Sequence, residues 1–396
     1  MRIAGTMPIR NLSIPYWLGW LFDKIHNNMK VLGCLFLIFC LAVAGQTGNP
    51  QDMSQRKQKK SKKKEDIEPI TQVLPLPKDL PAAIVAETQR LVFHVSPLST
   101  KGLLTQQTRD AVKALWGQTK SAQIVRLRAF VAGSGDSRRV ATIVSEMFTE
   151  KHLPLPVLTT VLVGSLGMEG AQILIEATSV DRKVVNPNGL LFISGKGGTG
   201  YAKAIQELQQ AVQAMGGTAA DIVRTTCYVN GFDTDGVERA KAGMGTYTVV
   251  QMRREPSPIV AECEAIARNP KPQAEPLKLV NPPVFQASPN YSQIAVVTAP
   301  KIVFTGLQLA FRTQEADFKL AFERLGRTLE GQGIGFGKVF FTSYYALSQQ
   351  SIDGIRAVRF GFLDKAAPPA ATLVPFEGLP SLDASFGVDV VALAAP

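Results

Sequence analysis

Read by its apolar and polar positions, the chain runs through one succession of elements three times. Each copy opens with a short apolar run that predicts a strand: Leu91-Val92-Phe93, Leu190 to Gly195, and Ile302 to Gly306. An amphipathic helix follows. In the second copy Ile205, Leu208, Val212 and Met215 share one helical face, and Gly216-Gly217 stops it. In the third, Phe318, Ala321, Phe322, Leu325 and Leu329 do the same, with Thr313 as the expected N-cap. In the first, Ala111, Val112 and Leu115 precede Gly117. Runs rich in β-branched and aromatic residues predict a second strand in each copy, over 125–131, 223–229 and 339–345. A polar turn and a second helix come next, clearest over 137–148 and 351–362 and abbreviated over 233–244. Each copy closes on an apolar strand, at 173–177, 261–267 and 388–394.

This order fits an α+β module, one sheet with both helices on one face. The opposite sheet face would be left apolar and bare in a lone module, so modules are expected to pack sheet to sheet, and three can close a ring. The expected divisions are 86–184, 185–270 and 285–396 for the modules, with 271–284 as a linker. Ahead of them, 1–44 reads as a signal peptide and 45–85 as a Lys-rich tether. The apolar stretch Val31–Ala44 follows Lys30, ends in Ala42-Val43-Ala44, and is short for a membrane span. Met29 is then the expected true start, and the mature protein is expected to be secreted or periplasmic. Cys40 follows Phe39 rather than a small residue, which argues against a lipoprotein.

The formal net charge of +11 is local rather than global. Residues 1–68 hold eleven basic and five acidic side chains, leaving 32 against 27 in the remainder. Seven basic residues between Arg56 and Lys64 read as a solvated tether suited to electrostatic contact with an anionic envelope. The body carries no comparable patch, so no nucleic-acid partner is expected. Removal of the signal leaves Cys227 and Cys263, read as buried free thiols although export would permit a disulfide, and His94 and His152. No metal spacing of the C-x-x-C type exists, and little raw material remains for a multi-His metal site or a Ser-His-Asp triad. Gly195-Lys196-Gly197-Gly198-Thr199-Gly200 looks like a phosphate loop, but Tyr201-Ala202 stands where Gly-Lys-Ser/Thr should end it. Gly133 to Ser137 reads as a turn and helix cap, not a nucleophile elbow.

Several stretches carry a family resemblance. Ile193-Ser194-Gly195, Met215-Gly216-Gly217, Asp221 to Val229 and Val260 to Ala267 resemble, in order and spacing, the RidA/YjgF (reactive-intermediate deaminase) family, also known under the endoribonuclease L-PSP label. Pro289-Asn290-Tyr291-Ser292-Gln293 is similar to the family's opening motif. The first copy is the most diverged. The resemblance implies a chorismate-mutase-like fold, homotrimers with ligand cavities between subunits, and hydrolysis of enamines and imines without metal or organic cofactor. Three RidA-like modules in one chain would make a covalent pseudo-trimer, a monomer of trimer-like shape with three unequal clefts.

Imine hydrolysis asks for a carboxyl group at the nitrogen and the water, and a cation for the substrate carboxylate. The resemblance places the family's Arg at Leu158, Tyr247 and Ala371, none of which is charged, and its acid at Leu174, Glu262 and Asp389. Tyr291 matches a family pocket tyrosine. Glu262 and Asp389 are thus the candidate catalytic residues, and Tyr291 and Tyr247 the candidate substrate-binding ones. Arg126 and Arg224 are expected to decorate an exposed strand face. Loss of a buried charge-assisted clamp costs roughly 2–4 kcal/mol. Two readings follow: a weakened or altered deaminase binding a small molecule between modules, or a non-catalytic binding or scaffold protein of the envelope.

Overall fold

In the computed structural model, residues 76–120, 122–232, 245–253 and 261–395 are described. The expected signal peptide, most of the tether and the second helix of the middle copy lie outside the described residues. The strands, in chain order, are β1 (Ala83–Glu87), β2 (Leu91–Val95), β3 (Gln123–Val131), β4 (Val157–Leu162), β5 (Ile173–Val180), β6 (Leu190–Gly198), β7 (Ile222–Val229), β8 (Thr246–Gln251), β9 (Ala261–Arg268), β10 (Leu277–Val280), β11 (Ile294–Val297), β12 (Lys301–Thr305), β13 (Gln308–Phe311), β14 (Val339–Ala346), β15 (Ala370–Pro375) and β16 (Ala384–Leu393). The α-helices are α1 (Leu104–Thr119), α2 (Arg139–Glu150), α3 (Tyr201–Ala214), α4 (Glu315–Glu330) and α5 (Gln349–Val358). The fold is α+β, as the alternation of periods predicts.

The three sheets repeat one strand order. It reads β2-β5-β3-β4 in the first, β6-β9-β7-β8 in the second and β12-β16-β14-β15 in the third. In each, the last two strands are parallel and the rest antiparallel, because a crossover segment separates the parallel pair. Each sheet has a helix-side core of its own. Val112, Leu115, Ile143 and Val144 fill the first, Ile205, Leu208 and Val212 the second, and Phe318, Phe322, Leu325 and Ile355 the third. The other sheet faces share their cores. Phe93, Phe192, Phe304, Phe340 and Phe341 meet in one cluster, and Phe130, Tyr228, Tyr345 and Phe376 in another. Side chains of all three sheets are therefore buried together in these two clusters.

Several local expectations change. Helix α1 passes through Gly117 to Thr119 and ends at Lys120 in the left-handed region (φ 48°). The N-cap of α4 is Gln314, not Thr313, because Gln314 and Asp317 bond each other's backbone N–H. Gly216, at φ +85°, does close α3. The module boundaries shift most. The stretch read as a linker, 271–284, contains β10, and β11, placed in the third module, pairs with β6 of the middle sheet. β1 straddles the expected 85/86 boundary and pairs with β12 of the third sheet. Hydrophobic period marks a strand but does not name its partner.

Cys227 and Cys263 form a disulfide, contrary to the free-thiol reading. They stand directly opposite each other on β7 and β9, where adjacent antiparallel strands bring cross-strand Cβ atoms within bonding reach.

Candidate functional site

Arg126 and Arg224, expected on an exposed face, are each 6% exposed. They belong to a buried group of three guanidiniums and three carboxylates between the two shared apolar clusters. Arg126 Nη2 donates to Asp389 Oδ1 at 2.9 Å, and Arg224 Nη2 to Glu264 Oε1 at 2.8 Å. Arg128 lies between Glu176 (Nη2 to Oε2, 2.7 Å) and Glu264 (Nη2 to Oε1, 2.9 Å), and its Nη1 donates to the Tyr228 hydroxyl at 2.9 Å. Thr226 donates to Glu176 at 2.5 Å, and Thr159 and Tyr345 donate to Asp389 at 2.6 and 3.0 Å. The charges balance, which is the condition for burying them. Burial pushes the Glu176 carboxyl up, but Arg128, Arg224 and the Thr226 hydroxyl overcome it and hold it at about 2.

Asp389 therefore does not occupy the position of Glu262. Asp389 faces Ser343, Glu264 faces Thr226 and Glu176 faces Arg128, at matching steps after a bulge in β14, β7 and β3. The residues matching Glu262 are Leu174 and Gly387, opposite Phe130 and Tyr345. The structure thus sets Asp389 in the charged core with both carboxylate oxygens bonded, at a different strand position from Glu262.

Glu262 lies two residues along β9, on the same face as Glu264. Its carboxyl rests against the backbone of Gly195, where an added Cβ would stand 2.1 Å from Oε1. Desolvation there and the Glu264 charge push it up to about 8, with Lys196 pulling the other way. Lys196, 3% exposed, has an ammonium lowered to about 8 by burial, against the opposing charges of Glu207 and Glu262. Its Nζ bonds Gln293 Oε1 and lies 4.3 Å from the centre of the Phe285 ring. Burial and the Glu262 charge raise the Tyr291 hydroxyl, and Gln293 opposes them. From the neighbouring sheet, the Ala371 N–H donates to Ser194 Oγ at 2.9 Å, while Ser194 Oγ donates to the Ser292 carbonyl at 2.6 Å.

Of the candidate residues, then, Glu262 and Tyr291 lie near enough for the Glu262 charge to act on the Tyr291 hydroxyl, and Ala371 lies beside Ser194. Tyr247 lies elsewhere: its ring stands edge-on to Tyr201 at 6.3 Å and its hydroxyl is 3.9 Å from Cys227 Sγ. The sequence presents Lys196 only within a stretch that looks like a phosphate loop, and no motif marks Arg128, Glu176 or Glu264. A signal existed for the core group. Arg126 and Arg128, like Glu262 and Glu264, repeat at the strand period of two, so each pair faces one side of a sheet otherwise filled by apolar residues. Among the described residues no group of His, Cys, Asp and Glu could hold a metal ion.

No family model matches the chain, and no curated protein matches it. Solved structures similar to part of it include a Rid-family protein of unknown function from Yersinia pestis, 16% identical over 30% of this chain and 99% of its own, with a TM-score of 0.28. Another is RidA from the Antarctic bacterium Psychrobacter, 17% identical over 23% of this chain and 80% of its own, with a TM-score of 0.22. A third is TdcF of E. coli with bound serine, 19% identical over 24% of this chain and 81% of its own, with a TM-score of 0.22. The similarity of this chain to solved structures thus falls on RidA/YjgF-type proteins, about one module's length at a time.

Proposed function

We propose that the protein is an exported, RidA-like covalent pseudo-trimer that binds a small metabolite between modules, and that the cleft holding Glu262 is the one equipped for imine or enamine hydrolysis. The observation that carries this reading is the placement of Glu262 against Gly195, next in the chain to Lys196, whose Nζ bonds the same Gln293 that bonds the Tyr291 hydroxyl. Glu262, protonated near neutral pH, donates its proton to the imine nitrogen. As a carboxylate it then takes a proton from the water that adds to the carbon, and the carbinolamine collapses to a carbonyl compound and ammonia. Lys196 supplies a cation for the substrate carboxylate that Leu158, Tyr247 and Ala371 do not. The repeated strand order and shared inter-sheet clusters support the pseudo-trimer, and the Cys227–Cys263 disulfide supports export.

The test is hydrolysis of an amino-acid-derived imine generated in situ, with Glu262→Gln and Lys196→Met beside the parent. A rate above background that disappears in Glu262→Gln, with a raised KM in Lys196→Met, is the expected result. No rate with any such imine from the folded protein removes the deaminase. The remaining reading is a non-catalytic binding or scaffold protein held near the envelope by its Lys-rich tether, and it too has an observation in its favour. The Lys196 ammonium is already held by Gln293 and Phe285, as a structural cation would be.

A further inference from the structure

The three sheets share a strand order but not a width. Outside its first strand, the third sheet carries β1, paired from Ala83↔Thr305 to Glu87↔Lys301. Outside its first strand, the middle sheet carries β11, paired from Ile294↔Ile193 to Val297↔Leu190. Both added strands come from the segment just before the next copy's first strand, β1 before β2 and β11 before β12, and each is handed to a neighbouring sheet. The corresponding segment before β6 has only the nine residues between Val180 and Leu190. It includes Pro187, and its Val185 and Asn186 N–H groups are committed to the Gln89 carbonyl. It cannot supply a strand, and among the described residues the first sheet ends at β2.

A groove of about 1120 Å³ lies along this edge. Leu91 to Val95 form one wall, and Ile222, Val223, Thr246, Tyr247 and Arg268 line the rest. Arg90 accepts from Asp181 and Ser96 donates to Ile175, so the backbone groups of Leu91, Phe93 and Val95 point away from β5 into the groove. Their three carbonyls are each met by a side chain: Asn186 Nδ2 on Leu91 at 2.9 Å, Thr246 Oγ1 on Phe93 at 2.8 Å, and Gln118 Nε2 on Val95 at 3.0 Å. These donors stand where the N–H groups of an added strand would stand.

We infer that the groove is the seat for an extended peptide segment of another protein, with an apolar core of four or five residues, that adds to β2 as an antiparallel strand. The occupant's chemistry follows from the two equivalent seats, filled by Ala-Ile-Val-Ala-Glu and Ile-Ala-Val-Val of this chain. An incoming strand replaces the Thr246 and Gln118 hydrogen bonds one for one, so the exchange is nearly neutral in hydrogen bonds. It adds pairing for the Phe93 and Val95 N–H groups, and apolar burial supplies the affinity.

The probes are capped peptides copying 81–90 and 292–299, titrated into the whole protein by calorimetry. Saturable binding is expected. N-methylation of alternate amides, the set that faces β2, should weaken it at least tenfold, and N-methylation of the other set should not. Gln118→Ala, which removes a placeholder donor, should tighten binding roughly fivefold, the equivalent of about 1 kcal/mol. Absence of saturable binding overturns the inference, as does binding indifferent to N-methylation, which would mean an apolar small-molecule pocket. Concentration-dependent dimerisation that the peptides do not disturb and Gln118→Ala does not alter also overturns it.

Discussion

Replacing Glu176 by Gln removes one carboxylate from a balanced group of six charges and changes almost nothing in volume. The folded-state carboxyl stands at about 2 against an ordinary 4.5. At about 1.4 kcal/mol for each tenfold in proton affinity, that displacement is about 3 kcal/mol of stability near neutral pH. The group is 4% exposed, so solvent screening reduces this little. The amide can keep its oxygen on Arg128, but its NH2 then faces the Thr226 hydroxyl that had donated to the carboxylate, so the loss should lie between about 3 and 5 kcal/mol. The sign follows from the direction of the shift. A carboxylate held low contributes its full stability above pH 4.5 and loses it as pH falls from 4.5 to about 2. Urea unfolding followed by circular dichroism at pH 7, 4 and 3 should show the gap between parent and variant largest at pH 7 and closing below 4.5. A loss under about 1 kcal/mol at pH 7, or a gap unchanged with pH, would refute the assignment of Glu176 as the charge partner of Arg128.

Breaking the disulfide with Cys227→Ala and Cys263→Ala, whose loop spans 36 residues, should cost up to about 4 kcal/mol by loop entropy, with a matching loss when the parent is reduced; unchanged melting under reduction would contradict it. Glu262 holds a proton in the fold that the unfolded chain releases between pH 4.5 and about 8, so stability should fall as pH rises through that window, and Glu262→Gln should abolish that fall. Lys196→Met removes the charge that lowers Glu262, so NMR titration should find its carboxyl higher than in the parent; a lower value would show that the two groups do not face each other. Gly245 sits at φ +60° with an added Cβ 2.6 Å from the Ile222 carbonyl, so Gly245→Ala should destabilise by about 1–3 kcal/mol in thermal unfolding, and a neutral result would mean the turn relaxes freely.

Most of the secondary structure was legible because period and propensity are local. The face of α3 marked by Ile205, Leu208 and Val212, the Gly216 stop, the α+β class and the threefold repeat all follow from neighbouring residues. Glu262 and Tyr291 are named by a resemblance carried in short motifs, which depends on local residues in the same way. What the sequence could not assign were partners. Whether β11 pairs with β6 or with the strand that follows it is decided by which sheet edge lies within reach, and so is the placement of β1 on β12. The burial of Arg126 and Arg224 depends on Asp389 and Glu264 arriving from other strands, since a charged residue on a strand can face water or a counter-charge with the same local pattern. The bonding of Cys227 to Cys263 required the register of β7 against β9. Lys196 meets Gln293 only because the fold brings two segments distant in sequence together.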